Sequence, residues 1–353
     1  MLLLRDVQKS DLPGLKRLAA ALNTVNLPDN EKLLSKLIQT SQRSFSERIS
    51  DPLEREYLFV LEDARKKRLI GTSMVIARHG TYESPHIFYE LSQREHYSAT
   101  LGRHFKHTVL SIGYNYDGPT EIGGLVVDRA HRGSEERPGK QLSYVRFLFI
   151  AMHRDRFRPR VLAELLPPLM PDGRSLLWEA VGKKFTGLTY QDADRLSRRN
   201  KEFIKELFPP SDLYATLFPE RTQQILGKVG PQTRGVQAML ERIGFRYVER
   251  IDPFDGGPHF EAATEDVSLI RQFRRLRVGR TPPTDNLQKH LVAVEPNRGL
   301  RRFLCVCTPC EVRDDEVLLP PKAMRLLGLR PKEMASVIPF DGVESPKARA
   351  TAP

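Results

Sequence analysis

A basic loop containing two glycines, RGSEERPGK at residues 132–140, has the residue types that point most directly to chemistry. It follows the apolar segment TEIGGLVVD (120–128), and the residues after it carry apolar side chains at helical spacing. Backbone N–H groups in such a loop at a helix N-terminus bind anions such as pyrophosphate, because the helix dipole also favours negative charge. The loop is therefore predicted to bind phosphate, with Arg132 better placed than His131, although basic Gly-Pro loops also occur as plain turns.

Three cysteines lie close together in the segment CVCTPC, as Cys305, Cys307 and Cys310. An odd number of cysteines at this spacing does not predict a disulfide framework. A structural zinc site would need a fourth protein ligand at finger-like spacing, and the sequence offers no such motif. The cysteines are therefore predicted to be small buried residues of a strand, and no metal is predicted for the chain.

Strands and helices predicted on both sides of the loop would position its residues. A strand at LLLRDV and two helices are predicted first. Further strands are predicted at 56–63, 68–78, 120–128, 160–168 and 245–251, and helices from about 140 and through most of 175–228. The segment 80–120 is predicted to be irregular, with short strands. The arginine-rich run RQFRRLRVGR (271–280) has the pattern of a helix end that leads into a linker.

The composition is that of a soluble globular protein, with 40% hydrophobic and 28% charged residues. No apolar run approaches the length of a signal peptide core or of a membrane helix, so a cytoplasmic protein without membrane contact is expected. The 56 basic and 44 acidic residues give a net charge of +12, which favours anionic partners such as a phosphorylated cofactor. Nucleic-acid binding is not favoured, because aromatic and basic residues are not interleaved.

The order β-α-α-β-β, followed by a glycine-interrupted strand, a helix and a strand, resembles the GNAT acyl-CoA N-acyltransferase fold. The predicted class is α/β (α+β), a mixed central sheet flanked by helices, with a helical insertion and a small β-rich C-terminal region. The predicted parts are a GNAT-like domain at 1–270 with its insertion at about 170–228, a basic linker at 271–288, a β-rich subdomain at 289–341 and a disordered tail at 342–353.

A more specific resemblance rests on motifs in a fixed order: VVDRAHR, LSYVRFLFIAMHRDRF, FIKELFP, LYATLFPE, PQT, MLERIGFRY and IDPFDGGPHFEA. Together they resemble the bacterial arginine N-succinyltransferase family over about residues 1–340. The resemblance implies succinyl transfer from succinyl-CoA to the α-amine of L-arginine, by direct attack in a ternary complex. Leu125 falls where the family contacts succinyl-CoA, and a backbone N–H near it would stabilise the oxyanion. Val126, next to it, is also predicted to bind the cofactor.

Two departures from the family pattern affect catalysis and cofactor binding. The family has a proton-donor histidine directly before PQT, and this chain has Gly230 there. In the phosphate loop Arg137 replaces the first family glycine and the loop is longer, whereas Gly139 is kept and Lys140 follows it. Loss of a general acid typically lowers a rate by about 10²–10⁴-fold, but a CoA thiolate is a tolerable leaving group without one.

Other residues could serve the predicted reaction. His259 and Tyr247 could replace the lost histidine as proton donor. Alternatively, His259 is a histidine of a strand with no catalytic role. Glu164 could hold or deprotonate the amine, and Asp255 could either close a tight turn or bind the substrate guanidinium. Trp178 is interpreted as a core residue.

Three hypotheses follow. The first is an active acyl-CoA-dependent N-acyltransferase with an amine substrate such as L-arginine. The second is a degenerate family member that binds acyl-CoA or arginine as a regulatory or partner subunit. The third, a nucleic-acid-associated protein, rests only on the net charge. An oligomer, homomeric or heteromeric, is expected from the resemblance.

Overall fold

The computed structural model describes residues 1–22, 27, 29–197, 200–284, 287–297 and 299–343. The chain divides into two compact units. Unit 1 comprises Met1–Arg78, Thr120–Pro159 and Ala263–Pro353, and unit 2 comprises His79–Pro119 and Arg160–Ala262. The predicted tail at 342–353 lies outside the described residues except for its first two positions.

The described residues form fifteen strands and eleven α-helices. The strands are β1 Leu2–Asp6, β2 Glu56–Asp63, β3 Arg68–Ile76, β4 His86–Ser98, β5 Arg103–Asn115, β6 Thr120–Val127, β7 Arg160–Glu164, β8 Leu213–Tyr214, β9 Arg246–Ile251, β10 Pro258–Ala263, β11 Arg274–Val278, β12 Gln288–Val294, β13 Leu304–Val312, β14 Glu316–Leu318 and β15 Met334–Pro339. The helices are α1 Leu12–Leu22, α2 Glu31–Phe45, α3 Pro138–Met152, α4 Leu176–Ala180, α5 Gly182–Thr186, α6 Tyr190–Ser197, α7 Glu202–Leu207, α8 Glu220–Ile225, α9 Arg234–Arg242, α10 Ser268–Arg271 and α11 Pro321–Leu327.

The N-terminal part of unit 1 is an antiparallel sheet in the order β1–β2–β3–β6. Helix α2 buries Leu34 and Ile38, four residues apart and therefore on one helix face, in a core shared with α1 and the sheet. Helix α3 is buried on nearly all sides and packs against β3 and β6. The predicted strand, loop and helix that carry the 132–140 segment are thus present.

The C-terminal part of unit 1 is a closed ring of five strands, β11 to β15. Strand β12 pairs with both β13 and β15, and the β11–β14 pair completes the ring. The linker predicted at 271–288 is therefore wrong for its first part, since β11 lies within it. Leu276 and Val278 point into the ring core while Arg275 and Arg277 are exposed. This alternation of buried and exposed side chains is the pattern of a strand, and the many arginines of the segment make it hard to recognise in the sequence.

The strands of unit 2 are hydrogen bonded in the order β7–β10–β9–β4–β5–β8. Helices α4 to α8 occupy the segment predicted as a helical insertion, and α4, α6 and α7 contribute apolar residues to the core around the buried Trp178. The core interpretation of Trp178 is confirmed, because the indole is fully buried, stacks on Phe254 with centroids 5.0 Å apart and donates to the Leu188 carbonyl.

The irregular structure predicted for 80–120 is wrong. Strands β4 and β5, each of thirteen residues, pair without interruption from His86–Asn115 to Ser98–Arg103. The half of this hairpin near its turn is exposed on both faces. Its sequence therefore lacks the apolar alternation by which a half-buried strand is predicted.

Other predicted elements agree with the structure or differ only at their ends. The strand predicted at 160–168 ends at Glu164, before Pro167 and Pro168, which lack the N–H that a sheet requires. Strand β13 carries the three cysteines as free thiols, with Cys305 and Cys310 buried, as predicted. Among the described residues no helix has the length and apolar character needed to span a membrane.

Candidate functional site

Strand β6 of unit 1 carries a bulge at the position assigned to the acyl thioester. Thr72 pairs with Val126 and Met74 with Gly123, so β3 contributes one residue to the interval where β6 contributes two, Gly124 and Leu125. Gly124 has φ 57°, a conformation that strongly favours glycine. The register shift therefore leaves one residue of β6 without a pairing partner on β3.

The loop after β6 ends in a left-handed residue at the N-terminus of α3. Arg137 has φ 49° and ψ 58° and is the N-cap residue of this helix. The left-handed conformation is one that favours glycine, and this chain adopts it with an arginine. Gly139 has room for a side chain, since an added Cβ would lie 3.8 Å from Val127 Cγ2. The protein itself therefore does not require a glycine there.

The basic side chains of the loop already have partners within unit 1. Arg137 Nη2 lies 2.6 Å from Asp341 Oδ1, and Lys140 Nζ lies 3.4 Å from the same oxygen and also contacts the Phe340 carbonyl. Arg132 Nε donates to the Val127 carbonyl at 3.2 Å. A phosphate group bound by Arg137 or Lys140 would compete with Asp341.

In unit 2 Glu164 lies at the end of β7 between two buried histidines. Its Oε1 is 3.2 Å from His86 Nε2 and 3.5 Å from His259 Nε2. His86 is 2% exposed and His259 is fully buried, whereas the Glu164 side chain is 27% exposed. Glu164 is thus the member of this group that a ligand can reach.

The electrostatics of this group favour an ionised carboxylate. Burial raises the pKa of Glu164, but the charge of His259 and the contact with His86 outweigh burial, so the net pKa is below its ordinary value. Burial lowers the pKa of His86. His79, His86 and Glu164 also bring one ligand atom each within 4.8 Å of the others, and among the described residues they form a group with the composition to hold a metal ion.

A turn rich in carboxylates connects β9 to β10. Asp252 Oδ1 accepts hydrogen bonds from the amides of Phe254 and Asp255, and Asp255 Oδ1 accepts one from Gly257 at 2.7 Å. Burial, followed by the nearby charge of Glu164, raises the pKa of Asp252 to about 7. Burial and the charge of Asp252 raise the pKa of Asp255 well above its usual range. These acids repel one another, so a bound cation would stabilise them.

Gly230 lies against the backbone of the segment that follows β7. Its N–H donates to the Leu166 carbonyl at 2.8 Å, and a Cβ added to it would lie 2.6 Å from the Pro167 oxygen. Real Cβ atoms do not approach a carbonyl oxygen so closely. The chain therefore has no space for an imidazole at the predicted proton-donor position in this backbone arrangement.

A cavity of about 500 Å³ in unit 2 is bordered by Lys228, Val229 and Tyr247. The buried Tyr247 hydroxyl has no hydrogen-bond partner among the described residues, and burial raises its pKa. A phenol with a raised pKa stays protonated, so this hydroxyl remains a hydrogen-bond donor.

The family model for the arginine N-succinyltransferase beta subunit matches residues 2–269. The chain belongs to the arginine N-succinyltransferase family. It is 30% identical to the arginine N-succinyltransferase of Yersinia pestis, over 96% of this chain and 97% of that protein. It is 33% identical to the arginine N-succinyltransferase subunit alpha of Pseudomonas aeruginosa, over 80% and 84%.

A solved structure confirms the predicted fold class. Subunit AI of the Pseudomonas aeruginosa arginine/ornithine succinyltransferase matches with a TM-score of 0.81 and 29% identity, over 96% of this chain and 99% of that one. This arginine N-succinyltransferase family member is therefore an acyltransferase with the mixed α/β fold that the sequence predicts.

The predicted site residues lie in two groups, one in each unit. Unit 1 brings Leu125, Val126 and the loop 132–140 to one strand–loop–helix segment. Unit 2 brings Glu164 and His259 together and puts Asp255 in the carboxylate turn. His104 and His107, for which the sequence gives no role, lie on the exposed part of β5.

Sequence reasoning missed His86, which contacts Glu164 from β4. The sequence gives little indication of a role for His86, because this histidine lies in the segment 80–120, which is predicted to be irregular. It also missed Arg146, a buried arginine of α3. The visible signal was a single basic residue inside the apolar run VRFLFIA.

Proposed function

We propose that this chain transfers the succinyl group of succinyl-CoA to the α-amine of L-arginine. Its membership of the arginine N-succinyltransferase family supports this reaction. The single observation that carries the proposed mechanism is the β6 bulge at Gly124–Leu125, because it would free a backbone amide to donate to the thioester oxygen. Val126 would contact the adjoining part of the acyl donor.

The acyl donor is assigned to the strand–loop–helix segment of unit 1. The helix N-terminus with Gly139 would bind the pyrophosphate through backbone amides, and Arg132 would add charge. Arg137 and Lys140 would bind phosphate by exchanging Asp341 for it. The left-handed Arg137 supports this assignment, since it keeps the backbone shape that a glycine would give.

The amine substrate is assigned to the carboxylates of unit 2. Glu164 would hold the attacking amine, with His86 and His259 fixing the carboxylate, and Asp255 would bind the guanidinium. The amine nitrogen bonds to the carbonyl carbon, and the carbon–sulfur bond breaks. One amine proton is lost to solvent, because the lowered pKa of Glu164 keeps that carboxylate ionised, and solvent protonates the CoA thiolate in place of the histidine that Gly230 is predicted to replace.

The test is release of free thiol from succinyl-CoA by the whole chain, with and without L-arginine. We expect release that depends on arginine, and we expect Glu164→Gln to slow it by about 100-fold. Asp172→Asn, a conservative change of an exposed carboxylate in unit 2, is the control and should have no effect. Ornithine in place of arginine tests the amine specificity.

The packing of Gly230 favours a second candidate function, a family member that binds acyl-CoA or arginine without turnover. In that case CoA ligands would raise the thermal stability of the protein but release no thiol, because a ligand stabilises the fold without chemistry. The relative named subunit alpha supports an assembly of several subunits, homomeric or heteromeric, for either candidate.

A further inference from the structure

Arg146, in the middle of α3, is a buried cation without a carboxylate partner. The residue is 2% exposed, and no described carboxylate lies within 4.0 Å of its guanidinium. Burial lowers its pKa to about 9. A buried charge is costly unless an opposite charge compensates it, so this position favours an anion that the chain itself does not supply.

The guanidinium uses three of its five N–H donors within the protein. Nε donates to the Ser143 carbonyl at 3.1 Å, Nη2 to Ser143 Oγ at 2.9 Å and Nη1 to the Gly123 carbonyl at 3.4 Å. One N–H therefore remains on each terminal nitrogen. This pair of donors suits a carboxylate, which accepts two parallel hydrogen bonds from an arginine.

The contact with Gly123 places the guanidinium beside the bulge of β6. Gly123 precedes Leu125 by two residues, a separation of at most about 7 Å because the bulge shortens the strand. In an extended succinyl group the two end carbons are about 4 Å apart, and a hydrogen bond adds about 3 Å. A succinyl chain with its thioester oxygen at Leu125 thus has the length to reach Arg146.

We propose that Arg146 binds the free carboxylate of the succinyl group and so selects a dicarboxylic acyl donor. The assignment rests on the proposed function for the identity of the donor. A buried arginine with only a packing role would also hydrogen bond to Ser143 and Gly123. Such an arginine would not, however, distinguish two acyl groups that differ only in whether the chain ends in a carboxylate or a methyl group.

The test compares succinyl-CoA with butyryl-CoA, which has the same four-carbon chain with a methyl group in place of the carboxylate. For the wild type we expect kcat/KM to favour succinyl-CoA by about 1000-fold or more, since a site built for a polar group rejects the analogue that lacks it. Arg146→Met should lower kcat/KM for succinyl-CoA by about 100-fold or more and leave that for butyryl-CoA unchanged or higher.

Two further variants keep the result interpretable. Arg146→Lys retains the charge but not the paired donors, so an intermediate preference is expected even if the methionine variant does not fold. Arg154→Met, in the 3₁₀ turn after α3, removes a partly exposed arginine and should leave the preference unchanged. An unchanged preference in Arg146→Met, or a wild type that uses both donors equally, would overturn the assignment.

A binding measurement separates this assignment from the proposed function. Succinyl-CoA should raise the melting temperature of the wild type more than butyryl-CoA does, and Arg146→Met should abolish the difference. This result without any thiol release would support Arg146 and contradict turnover. Thiol release with equal stabilisation by both donors would support acyl transfer and contradict the role of Arg146.

Discussion

At position 230 the local packing leaves no space for the side chain that the predicted mechanism lacks. The sequence predicts that Gly230 replaces a family histidine, and this prediction makes Gly230→His an obvious rescue. The close approach of the Pro167 oxygen changes that expectation, because even a methyl group would meet it. Gly230→His is therefore expected to displace the 166–167 backbone rather than to supply a proton donor.

The packing at Gly230 can be measured with alanine. Gly230→Ala should lower the free energy of unfolding by about 1–3 kcal/mol, since overpacking forces the backbone to move. Gly235→Ala is the matched control: it lies in α9 with no atom within 4 Å of an added Cβ. It should be neutral or stabilising by up to about 1 kcal/mol. Urea unfolding curves give both values, and equal effects of the two substitutions would contradict the packing argument.

Asp6, in unit 1, makes stability depend on pH. Its carboxylate accepts hydrogen bonds from the amides of Arg302 and Phe303, but burial, the larger effect, raises its pKa from 3.8 to about 6. An acid whose pKa is raised by folding stabilises the protein below its unfolded pKa, and this contribution is lost as the pH rises through 6. Between pH 5 and pH 7.5 the loss is about 1.4 kcal/mol.

The substitution Asp6→Asn should remove this contribution. Urea unfolding of both proteins at pH 5 and pH 7.5 measures it, because the difference between wild type and variant should shift by about 1.4 kcal/mol between the two pH values. A difference that does not change with pH would show that the Asp6 carboxyl titrates normally in the folded protein.

At the scale of elements, the sequence predicts those whose apolar pattern is clear. Strand β2 is found at its predicted bounds, and α3 begins close to its predicted start. Strands β4 and β5 were missed because both faces of the outer hairpin are polar. Strand β11 was missed because arginines hide its alternation. Both errors have one cause: period-two patterning is visible only where one face is apolar.

The N-cap of α3 allows the cost of a left-handed arginine to be measured. Arg137→Ala removes the ion pair with Asp341 and keeps a side chain at φ 49°, whereas Arg137→Gly removes both the ion pair and the strain. The glycine variant should therefore be more stable than the alanine variant by about 1 kcal/mol. Thermal unfolding of the two variants gives this difference. Equal stabilities would mean that the loop relaxes away from the left-handed conformation.

At the scale of the whole molecule, the candidate sites combine residues that are distant in the sequence. Glu164 contacts His86 and His259, which are 78 and 95 positions away along the chain. Family motifs predicted Leu125 and the phosphate loop, since these are local in the sequence. They could not predict the histidine pair around Glu164, because the register of β4 and β10 brings those residues together and a single sequence does not encode that register visibly.

Ligand binding to either unit should appear in the stability of the whole chain. A ligand at 100 times its Kd raises the free energy of unfolding by about 2.7 kcal/mol. We expect CoA and L-arginine each to raise the melting temperature. Asp255→Asn should abolish the response to arginine and keep the response to CoA, because the proposed guanidinium partner is lost while the asparagine oxygen can still accept from Gly257.

Asp255→Asn is expected to change the stability without ligand and the stabilisation by arginine in opposite directions. Asp255 is buried beside Asp252, and its raised pKa means that ionisation opposes folding at neutral pH. Asp255→Asn should therefore be more stable than the wild type without ligand and less stabilised by arginine. A purely structural role predicts an unchanged response to arginine, since the asparagine oxygen still accepts from Gly257. An intact arginine response would therefore assign Asp255 to the turn alone, and the guanidinium would need another partner.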